Sequence, residues 1–245
     1  MNARPVSGLA LICFAGALVA AEAQTDPHLP LVNGAAIPRD GTYLADRTEF
    51  VLDHVGDQVR LRFAGSDEVF YLTTEAAPLG VRVLKYDTGA EALRVAGWGG
   101  VTLYTPDQPS GIPAEYTDVV HNVDPLPVTA KDAKLFAAGL ARELSARTDF
   151  AVGFAADWDE LSRSGTARLL ACDAMRDATY ALEQSVNTTK RNAISDDLHV
   201  VHVVEGKSAS ASVRRGVLTV TIDPKAGPAA RPSSLAIARA LASAF

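Results

Sequence analysis

Between residues 42 and 105, apolar side chains recur at every second position in short runs separated by turns. "EFVLDHV" ends at Gly56-Asp57 and is followed by "QVRLRFA", in which Val59, Leu61 and Phe63 alternate with Arg60 and Arg62. Gly65-Ser66-Asp67 precedes "EVFYLTT", and the loop 76–80 precedes "VRVLKY". Asp87-Thr88-Gly89 then leads into "EALRVAG", and Gly99-Gly100 leads into "VTLYT". A period of two, punctuated by Gly- and Asp-bearing turns, predicts six short strands in an antiparallel meander. Such a sheet buries one face by closing into a small barrel or by stacking as a sandwich.

The pattern breaks after residue 105. Prolines at 106, 109, 113, 125 and 127 exclude a long helix and predict a connector over 106–128. From residue 129 the period becomes helical. Thr129 with Asp132 forms a capping signal ahead of Phe136, Ala137, Leu140 and Leu144 on one face. "FAVGFAA" at 150–156 reads as a short buried strand or a connector. Asp157 and Glu160 mark a second helix start, and Gly165 splits or kinks the segment behind it. Leu169, Cys172, Met175, Thr179, Leu182 and Val186 then define a long amphipathic helix. "LHVVHVVEG" reads as a buried strand, and "ASASVRRGVLTVTID" adds one or two more around a turn at Arg215-Gly216. Ser233 or Ser234 caps a last helix with Leu235, Ala238, Leu241 and Phe245 as its stripe. The expectation is an α+β chain. An antiparallel β unit at 42–105 and a Pro-rich connector at 106–128 precede a unit at 129–245, with two to three helices and a short antiparallel sheet.

The N-terminus changes the picture of where this chain works. Arg4, an apolar run from Val6 to Ala21 and the A-x-A site Ala21-Glu22-Ala23 predict a cleaved signal peptide over 1–23. An extended lead-in at 24–41 carries Pro27, Pro30 and Pro38. Export to the periplasm or the extracellular space is the expectation, with a bacterial source suggested by the short, Ala-rich signal and no membrane span after cleavage. Cys13 departs with the signal, so Cys172 is left alone and no internal disulfide forms. Its place on an apolar helix stripe suits a small buried hydrophobe better than a nucleophile. Lys and Arg number 23 against 29 Asp and Glu, a net charge of −6. That balance argues against a nucleic-acid partner and against electrostatic docking onto anionic lipid.

One tetrapeptide spells an active site. Asp87-Thr88-Gly89-Ala90 reads D-T-G-A, the string around the catalytic Asp of aspartic proteases. That chemistry needs two carboxyl groups sharing a proton. No second D-[ST]-G exists in this chain, so only a homodimer bringing two copies of Asp87 together satisfies it. The competing reading is a type I turn with Gly at a left-handed position, joining two strands. The polar approach through Lys85 favours the turn.

Other candidates are weaker. His199 and His202 fall on opposite faces of a strand. There is no H-E-x-x-H, G-x-S-x-G, S-x-x-K or G-x-G-x-x-G string, so no metal or cofactor is expected. Asp157, Asp159 and Glu160 suit a helix N-terminus. Asp173 and Asp177, flanking Arg176, suit a solvated helix face. Trp98 and Tyr104, within "GWGGVTLYTPDQPSGIP" (97–113), either line a ligand groove or plug a barrel end.

"FVLDHVGDQVRLRFAGSDEVFYL", "YDTGAEALRVAGWGGVTLYTPDQPSGIPA" and "LLACDAMRDATYAL" together resemble an uncharacterised family of exported bacterial proteins defined as a domain of unknown function. The resemblance implies no activity, cofactor or catalytic residue. The reading is therefore an exported soluble protein acting as a non-catalytic binding or envelope-associated accessory protein, with a protein, peptide or small-molecule ligand. The alternative is a hydrolase, a homodimeric aspartic protease using Asp87.

Overall fold

The computed structural model describes residues 31–32, 35–118, 129–161, 163–188 and 190–245. The expected signal peptide at 1–23 and positions 24–30 and 33–34 of the lead-in lie outside the described residues. A two-residue pair, β1 (Leu31–Val32) and β2 (Ala35–Ala36), precedes the first core.

The meander closes into a barrel of eight antiparallel strands. They are β3 (Gly41–Ala45), β4 (Thr48–Val55), β5 (Gln58–Phe63), β6 (Phe70–Ala76), β7 (Arg82–Lys85), β8 (Glu91–Val95), β9 (Val101–Thr105) and β10 (Gln108–Asp118). The expected six strands gain one at each end, and β10 pairs with both β9 and β3 to shut the barrel. Residues 108–118 of the expected connector are therefore strand, and 119–128 lie outside the described residues. Pro109 sits where the β9–β10 register shifts between Gln108 and Ile112, and Gly111 there has φ 79°. A bulge of this kind lets a proline sit in a ladder without breaking it.

Period-two burial sends Phe50 and Leu52 of β4 and Val59 and Leu61 of β5 inward. A run of ring contacts, Tyr43–Phe50–Phe63–Phe70–Tyr86, has centroids 5.2 to 6.4 Å apart. Leu84, Leu93 and Leu103 are also fully buried. Side chains fill the interior, as an eight-strand barrel allows, so the barrel is a core.

The C-terminal unit contains α1 (Ala130–Thr148), β11 (Gly153–Ala156), α2 (Trp158–Leu161), α3 (Gly165–Val186), α4 (Arg191–Asp197), β12 (Val200–Glu205), β13 (Ser210–Arg214), β14 (Val217–Ile222) and α5 (Ser234–Ala244). "FAVGFAA" resolves into strand β11. The long helices are α1, α3 and α5, and short α2 and α4 extend the expected two to three. The sheet order is β11-β12-β14-β13, with β11, β12 and β14 parallel and β13 alone antiparallel. The expected antiparallel sheet is thus corrected to a mixed one. Helices α2 to α4 carry the chain back across the sheet between β11 and β12, which makes that pair parallel. The turn Arg215-Gly216, with φ of 49° and 79°, then folds β13 outside β14 in a type I′ hairpin.

Helix α3 is the centre of this unit. Ala167, Ala171, Ala174, Ala178 and Ala181 are buried and allow close approach of neighbouring elements. Cys172 is buried in it, and burial pushes its thiol up to about 11, which leaves it protonated and unreactive. The anticipated caps are present: Thr129 Oγ1 accepts from Asp132 N at 3.2 Å, and Ser233 Oγ accepts from Ala236 N at 3.3 Å.

Candidate functional site

Asp87 stands in the β7–β8 turn, as its sequence setting predicts. Gly89 N donates to Tyr86 O at 2.9 Å and Tyr86 N donates to Ala90 O at 2.9 Å. The turn also does something no local pattern shows. Asp87 Oδ2 accepts from Ser233 N at 2.7 Å, and its Oδ1 accepts from Ser233 Oγ at 2.7 Å. Glu68, from the neighbouring β5–β6 loop, treats the next residue identically. Its two carboxylate oxygens accept from Ser234 N at 2.8 Å and Ser234 Oγ at 2.7 Å. Two acids on two barrel loops thus satisfy N–H groups at the start of α5, where the helix leaves donors free and its dipole favours negative charge. Arg239 reaches back from α5 to Thr88 O at 2.9 Å.

A buried ion pair completes this junction. Arg231 donates to Asp177 of α3 and, through Nη2, to Val69 O at 3.1 Å, with Asp173 at 3.9 Å from its Nε. Arg176 pairs with Asp173 at 3.0 Å. The expectation of a solvated face for Asp173 and Asp177 is therefore corrected, since Asp177 is only 1 % exposed. The reason is distance in sequence: its partner lies 54 residues on, beyond any helical spacing. Glu68 is 4 % exposed, and loss of hydration raises its pKa above the ordinary carboxylate value. Its bonds from Ser234 and the charge of Arg231 oppose that rise, while the charge of Asp87 adds to it.

This constellation has the residues of an active site without the room. The cavity bordered by Tyr71, Tyr86, Asp87, Arg231 and Ser233 measures about 20 Å³, the scale of a single water. Both oxygens of Asp87 are engaged by Ser233, which gives the protease alternative no support. Elsewhere His202 lies 3.5 Å from Asp157 in a partly exposed pair. Among the described residues no three His, Cys, Asp or Glu side chains gather as metal ligands.

The opposite end of the barrel has a different chemistry. Successive hairpins of an antiparallel barrel alternate between its ends, so the β4–β5, β6–β7 and β8–β9 turns lie away from α5. Their tips carry Val55, Leu79 and Trp98, exposed to 43 %, 94 % and 77 %. Leu79 adopts the left-handed conformation, φ 63° and ψ 28°, uncommon for a bulky side chain. The Trp98 ring lies over Gly100, leaving no space there for a Cβ. The two loops touch: a Cβ on Gly97 would come within 2.7 Å of the Leu79 carbonyl. Residues 76–81 and 96–100 contain no ionisable side chain.

Trp98 and Tyr104 are not brought into one groove. Tyr104 is part of β9 towards the other end of the barrel, where the Arg94 guanidinium lies 5.4 Å from its ring centroid. About four residues of strand, roughly 13 Å, separate it from the Trp98 turn. Nor does Trp98 plug the barrel, since its ring is largely in solvent. Sequence reasoning singled out Trp98 and missed Leu79, whose only signal is a large apolar residue between Pro78 and Gly80. It also missed Glu68 and Arg231. The Ser233-Ser234 doublet was the available hint that two acceptors were needed there.

No curated protein and no solved structure matches the chain. Among the described residues no helix is long and apolar enough to cross a membrane. A family model described as a domain of unknown function, DUF4908, matches residues 32–241, and the chain belongs to that family.

Proposed function

We propose that the protein is an exported, non-catalytic accessory protein of the cell envelope that docks reversibly on a lipid surface through the free end of its barrel. The observation that carries this reading is the pair of uncharged, touching loops that hold Leu79 and Trp98 out in solvent. The export step rests on the signal-like pattern of residues 1–23.

Area and charge favour lipid over a protein partner at this end. An aromatic side chain buries roughly 150–250 Å², so a few loop tips fall well short of the roughly 800 Å² per partner of a stable protein interface. Insertion needs no such area. Each fully buried large apolar side chain contributes about 1.5–3 kcal/mol, enough together for weak, reversible attachment of the kind one acyl chain gives. Trp suits the headgroup region, where an apolar ring with a polar edge is favoured. The net charge of −6 sets docking by insertion apart from docking by attraction to anionic headgroups.

The left-handed backbone of Leu79 supports the same reading. That conformation costs roughly 1–2 kcal/mol for a residue with a side chain, and here no burial offsets it. Strained positions that persist in folded proteins gather where the strain serves a site. The test is sedimentation with phosphatidylcholine vesicles. The full chain is expected to co-sediment, and Leu79→Asp and Trp98→Ser to remain in solution with unchanged melting temperature. Equal recovery of all three proteins in the supernatant rejects the reading.

A further inference from the structure

β13 is the last strand of the C-terminal sheet among the described residues. In its hairpin with β14, Arg214 faces Val217 directly across the two-residue turn. Alternation of hydrogen-bonded pairs then directs the backbone groups of Arg214, Ser212 and Ser210 towards β14. Ala211 and Val213 turn their N–H and C=O outward. The five residues run in unbroken register with no proline, lysine or bulge, the devices by which sheet edges are usually closed to further strands.

A groove runs between this edge and α5. Its volume is about 430 Å³, and Ala211, Val213, Ala236, Arg239, Ala240 and Ser243 border it. Small side chains along α5 leave room for side chains of a second strand. The charge is one-sided: the lining includes Arg239 and no acid, and Arg214 lies exposed at the end of β13. Arg239 gives one N–H to Thr88 O, and a guanidinium carries five donors.

We propose that this edge and groove form a strand-addition site for an extended peptide from another protein that bears a carboxylate. The peptide continues the sheet as its fifth strand beside β13. It accepts from Ala211 N and Val213 N and donates to their carbonyls. Its alternate side chains are small and apolar and lie in the groove against α5. Its carboxylate pairs with the Arg239 guanidinium. Charge selects this occupant over a second copy of the chain, whose β13 edge would bring Arg214 and Arg239 against the same two cations. This site is independent of the loop tips, and neither depends on the other.

The test is fluorescence anisotropy of the full chain with a labelled heptapeptide, Thr-Val-Ser-Val-Thr-Glu-Thr, in which Glu shares the groove face with both Val residues, in three forms. These are the parent, a version with Lys for Glu, and a version N-methylated at alternate residues. The parent is expected to bind saturably, the Lys form about tenfold more weakly, and the N-methylated form not at all. Val213→Pro removes an outward N–H while leaving the β13–β14 ladder intact, and it abolishes binding. Arg239→Gln removes the difference between the Glu and Lys peptides. Failure of the parent to saturate overturns the proposal, as does binding indifferent to N-methylation and to Val213→Pro. A concentration-dependent dimer that Val213→Pro dissociates also overturns it, because the edge then takes a second copy.

Discussion

The two ends of the barrel use opposite kinds of residue and reach opposite states. At the end facing α5, Glu68, Asp87, Arg231 and Asp177 all have partners, and those partners come from α3, α5 and the residues just ahead of α5. At the other end the β6–β7 and β8–β9 loops carry no ionisable side chain, and Leu79 and Trp98 are largely exposed among the described residues. Charged residues are expensive to bury, so their engagement marks where the molecule is held together. Large apolar residues are favoured inside, and the exposure of Leu79 and Trp98 on touching loops is the observation behind the proposed lipid surface. Asp87 of the D-T-G-A string ties a barrel loop to the start of α5, and the two uncharged loops carry the proposed surface.

Substitutions at the two ends sharpen this contrast. The largest effect belongs to Arg231→Met. It leaves Asp177 buried without its counter-charge, and loss of about 3–5 kcal/mol is expected in urea unfolding. Next is Asp87→Ala, which removes the acceptor for Ser233 N and Oγ. A loss of about 0.5–2 kcal/mol is expected, with the far-ultraviolet spectrum retained. A loss as large as that of Arg231→Met would mean that Asp87 does more than cap.

Glu68 gives a pH signature. Its folded pKa is raised by burial, so the folded state favours the protonated carboxyl. The associated stability is fully present below the ordinary carboxylate value and is lost as pH rises through the folded value. Glu68→Gln keeps an acceptor for Ser234 N and does not ionise. Its stability relative to the native protein is expected to increase as pH rises from below that ordinary value towards neutrality. A difference that stays flat with pH contradicts the burial argument. The smallest stability effect belongs to Trp98→Ser, expected within about 0.5 kcal/mol of the native protein because the ring is exposed.

How much could be read from the chain depends on how local each cause is. Strands β4 to β9 were legible because alternation and turn residues act within ten positions. β10 was hidden by Pro109 and Pro113, which a register shift and Gly111 accommodate. The parallel pairing of β11, β12 and β14 depends on a helical crossing rather than on a local turn signal. The turn at Asp87 is legible from its neighbours, but its contact with Ser233 spans 146 positions. Asp177 has charged helix neighbours that suit a solvated face, while the partner that buries it lies 54 residues on. Trp98 stands out by residue type, whereas the exposure and left-handed backbone of Leu79 are properties of the fold.

The central claim is that the two uncharged loops bearing Leu79 and Trp98 enter lipid. Trp98 reports on this directly once Trp158, the other tryptophan, is replaced by Phe. Phosphatidylcholine vesicles should shift Trp98 emission to shorter wavelength, and brominated acyl chains should quench it. Emission that stays at its solvent-exposed wavelength and escapes quenching at saturating lipid would contradict the account.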